Sequence, residues 1–397
     1  MLIKAVWVLP VATPPIHNGA LRVVGDAIRE VGPAQAIPVL PGEETLSLYQ
    51  TVLLPGFVNC HAHLEFSPLV SPPSQGCFTQ GSFTSWVRSV MGERQESTSS
   101  ETAMLIQRAA ENLARTGTTT AALHVGGEIP AQHFASLPFR TFAFVEVIGL
   151  TEKLAEESLR KAMNWKVEAL IASDRIEVFP TPHSLYALHK KILEEMLSRD
   201  LSLQSIHLLE SSDENLFLRD GTGPMADLVA ERGGEQPDFS PLRLLETLQK
   251  RLLIVHGNYL ESAEIGLLRN LQASVIHCPG SHRYFRHAPL RWNQLKEAGL
   301  RVALGTDSLA SNEELSMLAE MRLLREKEPS LSPEEILRMA TIHGAEALGL
   351  PVGALETGKK ADLIGVALDR SRDPLDAVLN AKEVSWRMID GRHVPFA

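Results

Sequence analysis

The stretch TSSETAMLIQRAAENLARTGTTTAALHVGG, residues 98–127, decides the fold. Thr98 and Glu101 stand three apart, as the two partners of a helix-opening capping box do. Leu105, Ala109 and Leu113 then recur at the spacing of one helical face, and Gly117 stands where a helix ends. A β-branched and apolar run follows over 118–125 and closes on Gly126-Gly127. A strand without apolar–polar alternation has to be covered on both faces, the condition of a parallel strand in an α/β protein.

The same rhythm of helix and buried strand runs outward in both directions. Strand-like runs fall at 57–63, 118–124, 141–147, 175–179, 201–208, 251–256, 274–277 and 301–305. Eight such runs with helices between them predict a (β/α)₈ barrel, with a long insertion over about 65–92 as part of a lid. The two ends of the chain read differently. Short β segments at 2–9, 20–24 and 27–31 have counterparts at 361–367 and 384–389, where Asp390-Gly391 signals a type I′ hairpin. We therefore expect a small β-sandwich domain built from 1–54 plus 350–397 and a barrel over 55–349.

Composition narrows the function. The 397 residues carry 38 Lys+Arg against 48 Asp+Glu, a net charge of −10, which argues against a general nucleic-acid binder and for a small-molecule substrate. At 44% hydrophobic and 22% charged the chain has globular composition. Cys60, Cys77 and Cys278 form no Cys-x-x-Cys pair, so a disulfide framework is not indicated and a cytoplasmic location is expected. The apolar run at 5–12 is too short to span a membrane, and no membrane partner is expected. The sequence leaves oligomeric state open, a homodimer included.

Seven of the eight runs carry histidine or aspartate at or just past their C-terminal end: His61 and His63, His124, His183, His207, His256, His277 and Asp307. The third offers Glu146. In a barrel these ends converge on the active site. A lone histidine is ordinarily a packed or surface residue, and His17, His133, His189 and His393 are read so. Repetition at strand ends is a different matter. His61 and His63 share one face of a strand by its period of two, and with His207 and Asp307 they give three imidazole nitrogens and a carboxylate oxygen. That set suits one divalent cation, zinc or ferrous iron, with a position left for water. Gly221-Thr222-Gly223-Pro224-Met225-Ala226 fits a loose dinucleotide fingerprint, but no buried strand precedes it and Pro224 interrupts it, so it reads as a loop.

Leu54-Pro55-Gly56-Phe57-Val58-Asn59-Cys60-His61-Ala62-His63, then His207-Leu208-Leu209-Glu210, Val255-His256-Gly257 and Leu304-Gly305-Thr306-Asp307-Ser308 resemble the amidohydrolase superfamily, in its cytosine deaminase and chlorohydrolase branch. The resemblance implies a metal-dependent hydrolase with His61, His63, His207 and Asp307 as ligands. Binuclear members carry a bridging lysine after the fourth strand, where this chain has Phe179-Pro180-Thr181-Pro182-His183, so one metal is expected. A bound cation lowers the pKa of its water towards ~7, and hydroxide can then attack an electron-poor amidine carbon. Glu210 resembles the family's proton shuttle to the ring nitrogen, Asp307 is expected to take the water proton, and His256 to orient the attacking oxygen.

Thr181-Pro182-His183-Ser184 resembles the segment by which purine-type deaminases of this branch touch substrate, which makes His183 a candidate binder. Glu65-Phe66-Ser67, Gly81-Ser82-Phe83 with Trp86, and Cys278-Pro279-Gly280-Ser281-His282-Arg283 resemble aminodeoxyfutalosine deaminases of the alternative menaquinone pathway. That substrate carries a benzoate, for which Arg283 and Arg88 are candidate partners, with Trp86 a candidate ring platform and Ser82 a polar contact. Deamination of adenosine, methylthioadenosine or S-adenosylhomocysteine, or hydrolysis of a pyrimidine or triazine substituent, are the alternatives.

Overall fold

Eight largely buried runs become parallel strands in the computed structural model, which describes residues 1–66, 83–94, 99–198, 203–236, 240–247, 251–271, 273–368 and 373–396. They are β1 (Phe57–Ala62), β2 (Thr118–Gly126), β3 (Arg140–Val147), β4 (Ile176–Pro182), β5 (Gln204–Leu208), β6 (Leu252–His256), β7 (Ala273–His277) and β8 (Arg301–Leu304). β1 to β4 hydrogen-bond in order as one parallel sheet and β5 to β8 as a second. Parallel bridges Ala62–Asp307 and Ser184–His207 stitch the two seams. At the first seam Thr306 N–H donates to His61 O at 2.9 Å and His63 N–H to Asp307 O at 3.2 Å; at the second His207 N–H donates to His183 O at 2.9 Å. The expected barrel is therefore present, and both seams run through residues singled out for chemistry.

Local sequence explains the units. The helix Ser99–Arg115 buries Ile106, Ala109, Ala110, Leu113 and Ala114, so its inward stripe is centred one position beyond Leu105. Gly117 then turns the chain at φ +97°, a conformation L side chains rarely adopt, and a Cβ there would fall 2.8 Å from the ring of the fully buried Phe57. Between β3 and β4 the helix Glu152–Ala172 opens on the Thr151 hydroxyl, which accepts from Leu154 N at 3.4 Å, and buries Ala155, Leu159, Ala162, Trp165 and Ala169. Trp165 anchors it further, its indole N–H donating to Ile129 O at 2.7 Å.

β4 runs three residues beyond the expected stop at 179, through Pro180 and Pro182, which have no N–H to give. The Thr181 hydroxyl takes over on the β5 side, accepting from Ser205 N at 3.2 Å and donating to Ser205 O. The dismissed fingerprint is a helix junction: Gly221 at φ 69° ends Ser212–Asp220, and Pro224 occupies the first turn of Pro224–Glu231.

The chain ends pair as expected, and their strands form one continuous seven-stranded sheet. Its order is Arg392–His393, Trp386–Ile389, Leu363–Ala367, Thr45–Pro55, Leu2–Val8, Ile16–Val24, Ala27–Pro33. Leu21, Ile28, Leu53, Leu363 and Met388 from both ends share one core. The sequence reading did not separate out Thr45–Pro55, yet it is the central strand, parallel to Leu2–Val8 and antiparallel to Leu363–Ala367. Its first half is partly exposed and its last five residues are buried, so its apolar end runs into the start of β1 without a break in pattern. The helix Pro374–Asn380 lies against both this sheet and the barrel helices Met317–Lys327 and Pro333–Met339.

Candidate active site

β1 delivers the first two imidazoles. By strand alternation Asn59 and His61 face one side and Val58 and Cys60 the other, towards the helix Ile342–Leu348, where Gly344 leaves room for them. Asn59 fastens the seam to β8: its Nδ2 donates to Thr306 Oγ1 at 2.8 Å and its Oδ1 accepts from Thr306 N at 3.2 Å. Gly305 lies so close to His61 that a Cβ would sit 2.8 Å from the His61 Cβ, so only glycine lets β8 bring Asp307 alongside.

The donors converge. His61 Nε2 lies 3.4 Å from Asp307 Oδ1, and His63 Nε2 lies 3.5 Å from His207 Nε2. Donor atoms of His61, His63 and His207 all lie within 4.8 Å of one another, as do those of His61, His256 and Asp307. His61 is wholly buried, and neither of its ring nitrogens has a hydrogen-bond partner among the described residues. Orphaned buried nitrogens aimed at a carboxylate are costly unless a cation takes them up, so the residues fit a divalent metal. Burial, reinforced by neighbouring imidazoles, holds His61 and His207 well below the ordinary histidine range, which is the neutral, ligating form. Burial also opposes charge on His63, but Glu65, Glu146 and Asp307 together pull it up to about 9, so a cation there has to displace a proton.

A ring of partners orients these groups. His207 Nδ1–H donates to His183 O at 3.1 Å, which leaves Nε2 free to face the centre. Ser311 Oγ–H donates to Asp307 Oδ2 at 2.7 Å. Leu209, His256 and Asp307 all adopt positive φ, at 53°, 67° and 55°, so the backbone is strained where the chemistry-bearing side chains must turn inward.

Glu210 lies 3.5 Å from His256 Nε2 through its Oε1 and is almost fully buried. Burial, with the charges of Asp307 and Glu214 nearby, pushes its carboxyl well above the ordinary range. Its backbone is clamped: Glu214 accepts from Leu209 N at 3.0 Å and Glu210 N at 2.7 Å, and Asn258 Nδ2 donates to Glu210 O at 2.9 Å. Asn258 is itself 3.1 Å from His282 Nδ1 through its Oδ1. Burial lowers His256 to about 4, so it is a neutral donor or acceptor beside Glu210.

The structure thus brings together His61, His63, His207, Asp307, Glu210, His256 and His183. The remaining described candidates make contacts of their own. Trp86 and Phe83 lie 5.5 Å apart and meet Phe285 edge-on at 5.0 and 5.2 Å, and the Trp86 indole N–H donates to Ala310 O at 2.9 Å, so they tie the helix Phe83–Arg94 to the segments after β7 and β8. Thr84 reinforces this, its N–H and hydroxyl donating to Asp213 Oδ2 at 3.0 and 2.8 Å. Arg88 pairs with Glu231 at 2.5 Å and Arg283 with Glu313 at 3.1 Å, both exposed. Ser82, Cys77 and most of the expected lid lie outside the described residues. Glu146, Glu214, Asn258 and Ser311 were not marked as site residues in the sequence. Only Glu146 had a signal, its place at the end of the third strand.

The amidohydrolase family model matches residues 52–394. A 5-methylthioadenosine/S-adenosylhomocysteine deaminase of Moorella thermoacetica is 29% identical over 384 residues, 92% of this chain and 85% of that protein. An aminodeoxyfutalosine deaminase of Nitratiruptor sp. is 28% identical over 330 residues, 79% and 78%. The crystal structure of Helicobacter pylori aminofutalosine deaminase in complex with methylthio-coformycin superposes with a TM-score of 0.86 at 24% identity, covering 99% of this chain and 100% of that one, a likeness of fold. The match runs from the central strand of the terminal sheet, through every barrel strand that brings a candidate ligand, to the C-terminal hairpin: this chain belongs to the amidohydrolase family.

Proposed function

We propose that the protein is a metal-dependent hydrolytic deaminase of a 6-aminopurine nucleoside, with aminodeoxyfutalosine the first choice of substrate. The observation that carries this reading is the placement of Glu210, a buried carboxyl favouring its protonated form, beside the convergent set His61, His63, His207 and Asp307. Hydrolysis of an amidine needs both halves of that arrangement: an activated water, and an acid for the ring nitrogen next to the attacked carbon.

In this reading His61, His63, His207 and Asp307 hold one cation, zinc by the softness of three imidazoles and a carboxylate, with ferrous iron the alternative. The cation supplies Lewis acidity, which makes water a competent nucleophile at neutral pH. Asp307 takes a proton from the attacking water at its carboxylate and later passes it to the departing amine. Glu210 donates its carboxyl proton to the ring nitrogen, so the developing charge is neutralised as the C–O bond forms. His256 Nε2, 3.5 Å from Glu210 Oε1, holds the new oxygen by hydrogen bond. The C–N bond then breaks, ammonia leaves, and the remaining hydroxyl proton passes to the Glu210 carboxylate, which restores its carboxyl and leaves a 6-oxopurine.

Two relatives of nearly equal identity support two substrates, so methylthioadenosine or S-adenosylhomocysteine is the second reading. Arg283 discriminates between them. Its guanidinium is held by the exposed Glu313, a pair that a substrate carboxylate can exchange with little loss. Ammonia release from aminodeoxyfutalosine, methylthioadenosine, S-adenosylhomocysteine and adenosine, measured side by side on wild type and Arg283→Ala, tests both points. Selective loss of the benzoate-bearing substrate supports aminodeoxyfutalosine and its place in menaquinone biosynthesis. An equal effect on all four removes Arg283 as the carboxylate partner, and no ammonia from any of them removes the deaminase reading.

A further inference from the structure

The helix Glu152–Ala172 has a second apolar face. Ala155, Leu159, Ala162, Trp165 and Ala169 are buried against the barrel, yet Met163, Val167, Leu170 and Ile171 recur at the i, i+4, i+7, i+8 spacing of another stripe, about a third of a turn away. Val167 is 58%, Leu170 65% and Ile171 83% exposed, and Met163 39%. Exposed aliphatics scattered singly need no explanation, but these adjoin on one face and present about 400 Å² of apolar surface, the size of the largest patch on an ordinary monomer. Helix preference does not account for them either, since Val and Ile are weaker helix formers than the Lys, Glu or Arg an exposed face ordinarily carries.

The charges around the stripe point to what covers it. On the same helix Glu156 is taken by Lys191 at 3.7 Å and Glu157 by Lys161 at 3.6 Å. Arg160 and Asp174 are exposed and have no ion-pair partner among the described residues. They stand seven residues before and seven after Val167, Arg160 on the striped face and Asp174 just past the helix end at Ala172. Opposite charges set symmetrically about the middle of an apolar stripe are complementary to the same stripe turned end for end. That is the condition of a two-fold axis, across which residue i meets j and j meets i. A parallel copy would set Arg160 against Arg160. An antiparallel copy crossing at Val167 sets Arg160 against the partner's Asp174 twice over.

We propose that Val167, Leu170 and Ile171 form the centre of a homodimer interface, in which this helix packs antiparallel against its own copy across a two-fold axis at Val167 and an Arg160–Asp174 pair between subunits closes each end. The stripe supplies about half of the ~800 Å² per partner that a stable interface buries, and the exposed Asn164, Glu168 and Arg175 supply a polar rim. It lies on the half of the helix that leads into the start of β4, whereas the candidate active site is at the opposite ends of the barrel strands, so the pairing leaves the site open.

Sedimentation velocity and light scattering on the full chain at micromolar concentration test this. Wild type should have the mass of a dimer. Val167→Glu sets like charges against each other at the axis while favouring the helix over Val, so that variant should run as a monomer with unchanged far-UV circular dichroism. Arg160→Asp and Asp174→Arg each turn two opposite-charge pairs into two like-charge pairs, and each should weaken the dimer about 10-fold; the R160D/D174R exchange should restore it to within about 3-fold of wild type. Monomeric wild type overturns the proposal and leaves the stripe to a different occupant. A dimer that V167E leaves intact overturns it too, since the interface then lies elsewhere, and an exchange no tighter than the single reversals overturns the antiparallel pairing. Because the exchange keeps every charge and the whole apolar stripe, it reads the interface whatever V167E does to stability.

Discussion

Glu210 and the imidazoles around it have opposite preferences, and the proposed reaction uses both. Burial drives the Glu210 carboxyl up and the His61 and His207 rings down, so near neutrality an acid that holds its proton sits beside bases that have lost theirs. Replacing Glu210 by Gln keeps size and hydrogen bonding but removes the transferable proton. We expect bound metal per chain to be unchanged by elemental analysis and kcat for ammonia release to fall about 10²- to 10⁴-fold; an active Gln variant would take Glu210 out of the mechanism. His207→Ala removes a donor from the converging set, and we expect it to purify with bound metal reduced to a small fraction of wild type. Full occupancy in that variant would mean that the cation is held elsewhere.

At the scale of elements, the turn after β5 matters most. Ser211 opens the helix Ser212–Asp220 by accepting from Glu214 N at 3.1 Å, and Glu214 reaches back to take the N–H groups of Leu209 and Glu210. With Leu209 at positive φ, this carboxylate is what holds the Glu210 backbone against relaxation. Glu214→Ala leaves two buried N–H groups unpaired, and we expect a loss of about 2–4 kcal/mol in urea unfolding together with a lower kcat at little-changed metal content. Unchanged stability and kcat would show that the clamp is dispensable.

This turn also shows what a sequence reveals. Histidines at strand ends are legible because a barrel gathers those ends wherever they lie in the chain. Glu214, Asn258 and Ser311 are not, because each matters only through the neighbour that folding supplies. Arg88 and Arg283, read from the sequence as candidate partners for a substrate carboxylate, are ion-paired with Glu231 and Glu313 in the fold, while Trp86, read as a platform for substrate, spends its N–H on Ala310. The central strand Thr45–Pro55 was missed because its apolar end merges with β1, whereas the helix and strand of 99–126 were plain from their periods and from Gly117 between them; the expected cap residue Thr98 lies outside the described residues.

The whole molecule holds its barrel ends together with buried carboxylates as well as apolar packing. Glu320, on the helix Met317–Lys327, accepts from Gly280 N at 2.7 Å and Asn312 Nδ2 at 2.5 Å, and Asn312 Nδ2 also donates to Thr306 O at 2.9 Å, which joins the loops after β7 and β8 behind Asp307. Burial pushes Glu320 up to about 8 and Glu214 up to about 7, from an ordinary 4.5. A carboxyl raised by folding binds its proton more tightly in the native state, so its contribution to stability is full at low pH and is lost as pH rises from 4.5 towards 8. We expect the stability of wild type relative to Glu320→Gln, from urea unfolding, to decline across that window; a difference that is flat or grows with pH would contradict the assignment. No described helix is long and apolar enough to cross a membrane.

The central claim is that water replaces the 6-amino group of a purine nucleoside at this centre, and it is tested most directly by mass spectrometry of the products formed by the metal-loaded protein in ¹⁸O-water. The account predicts a 6-oxopurine nucleoside carrying one ¹⁸O at the former amine position, with one ammonia released per product and formation of that product slowed about 10²- to 10⁴-fold in the Glu210→Gln variant. Intact 6-amino groups across aminodeoxyfutalosine, methylthioadenosine, S-adenosylhomocysteine and adenosine would contradict it.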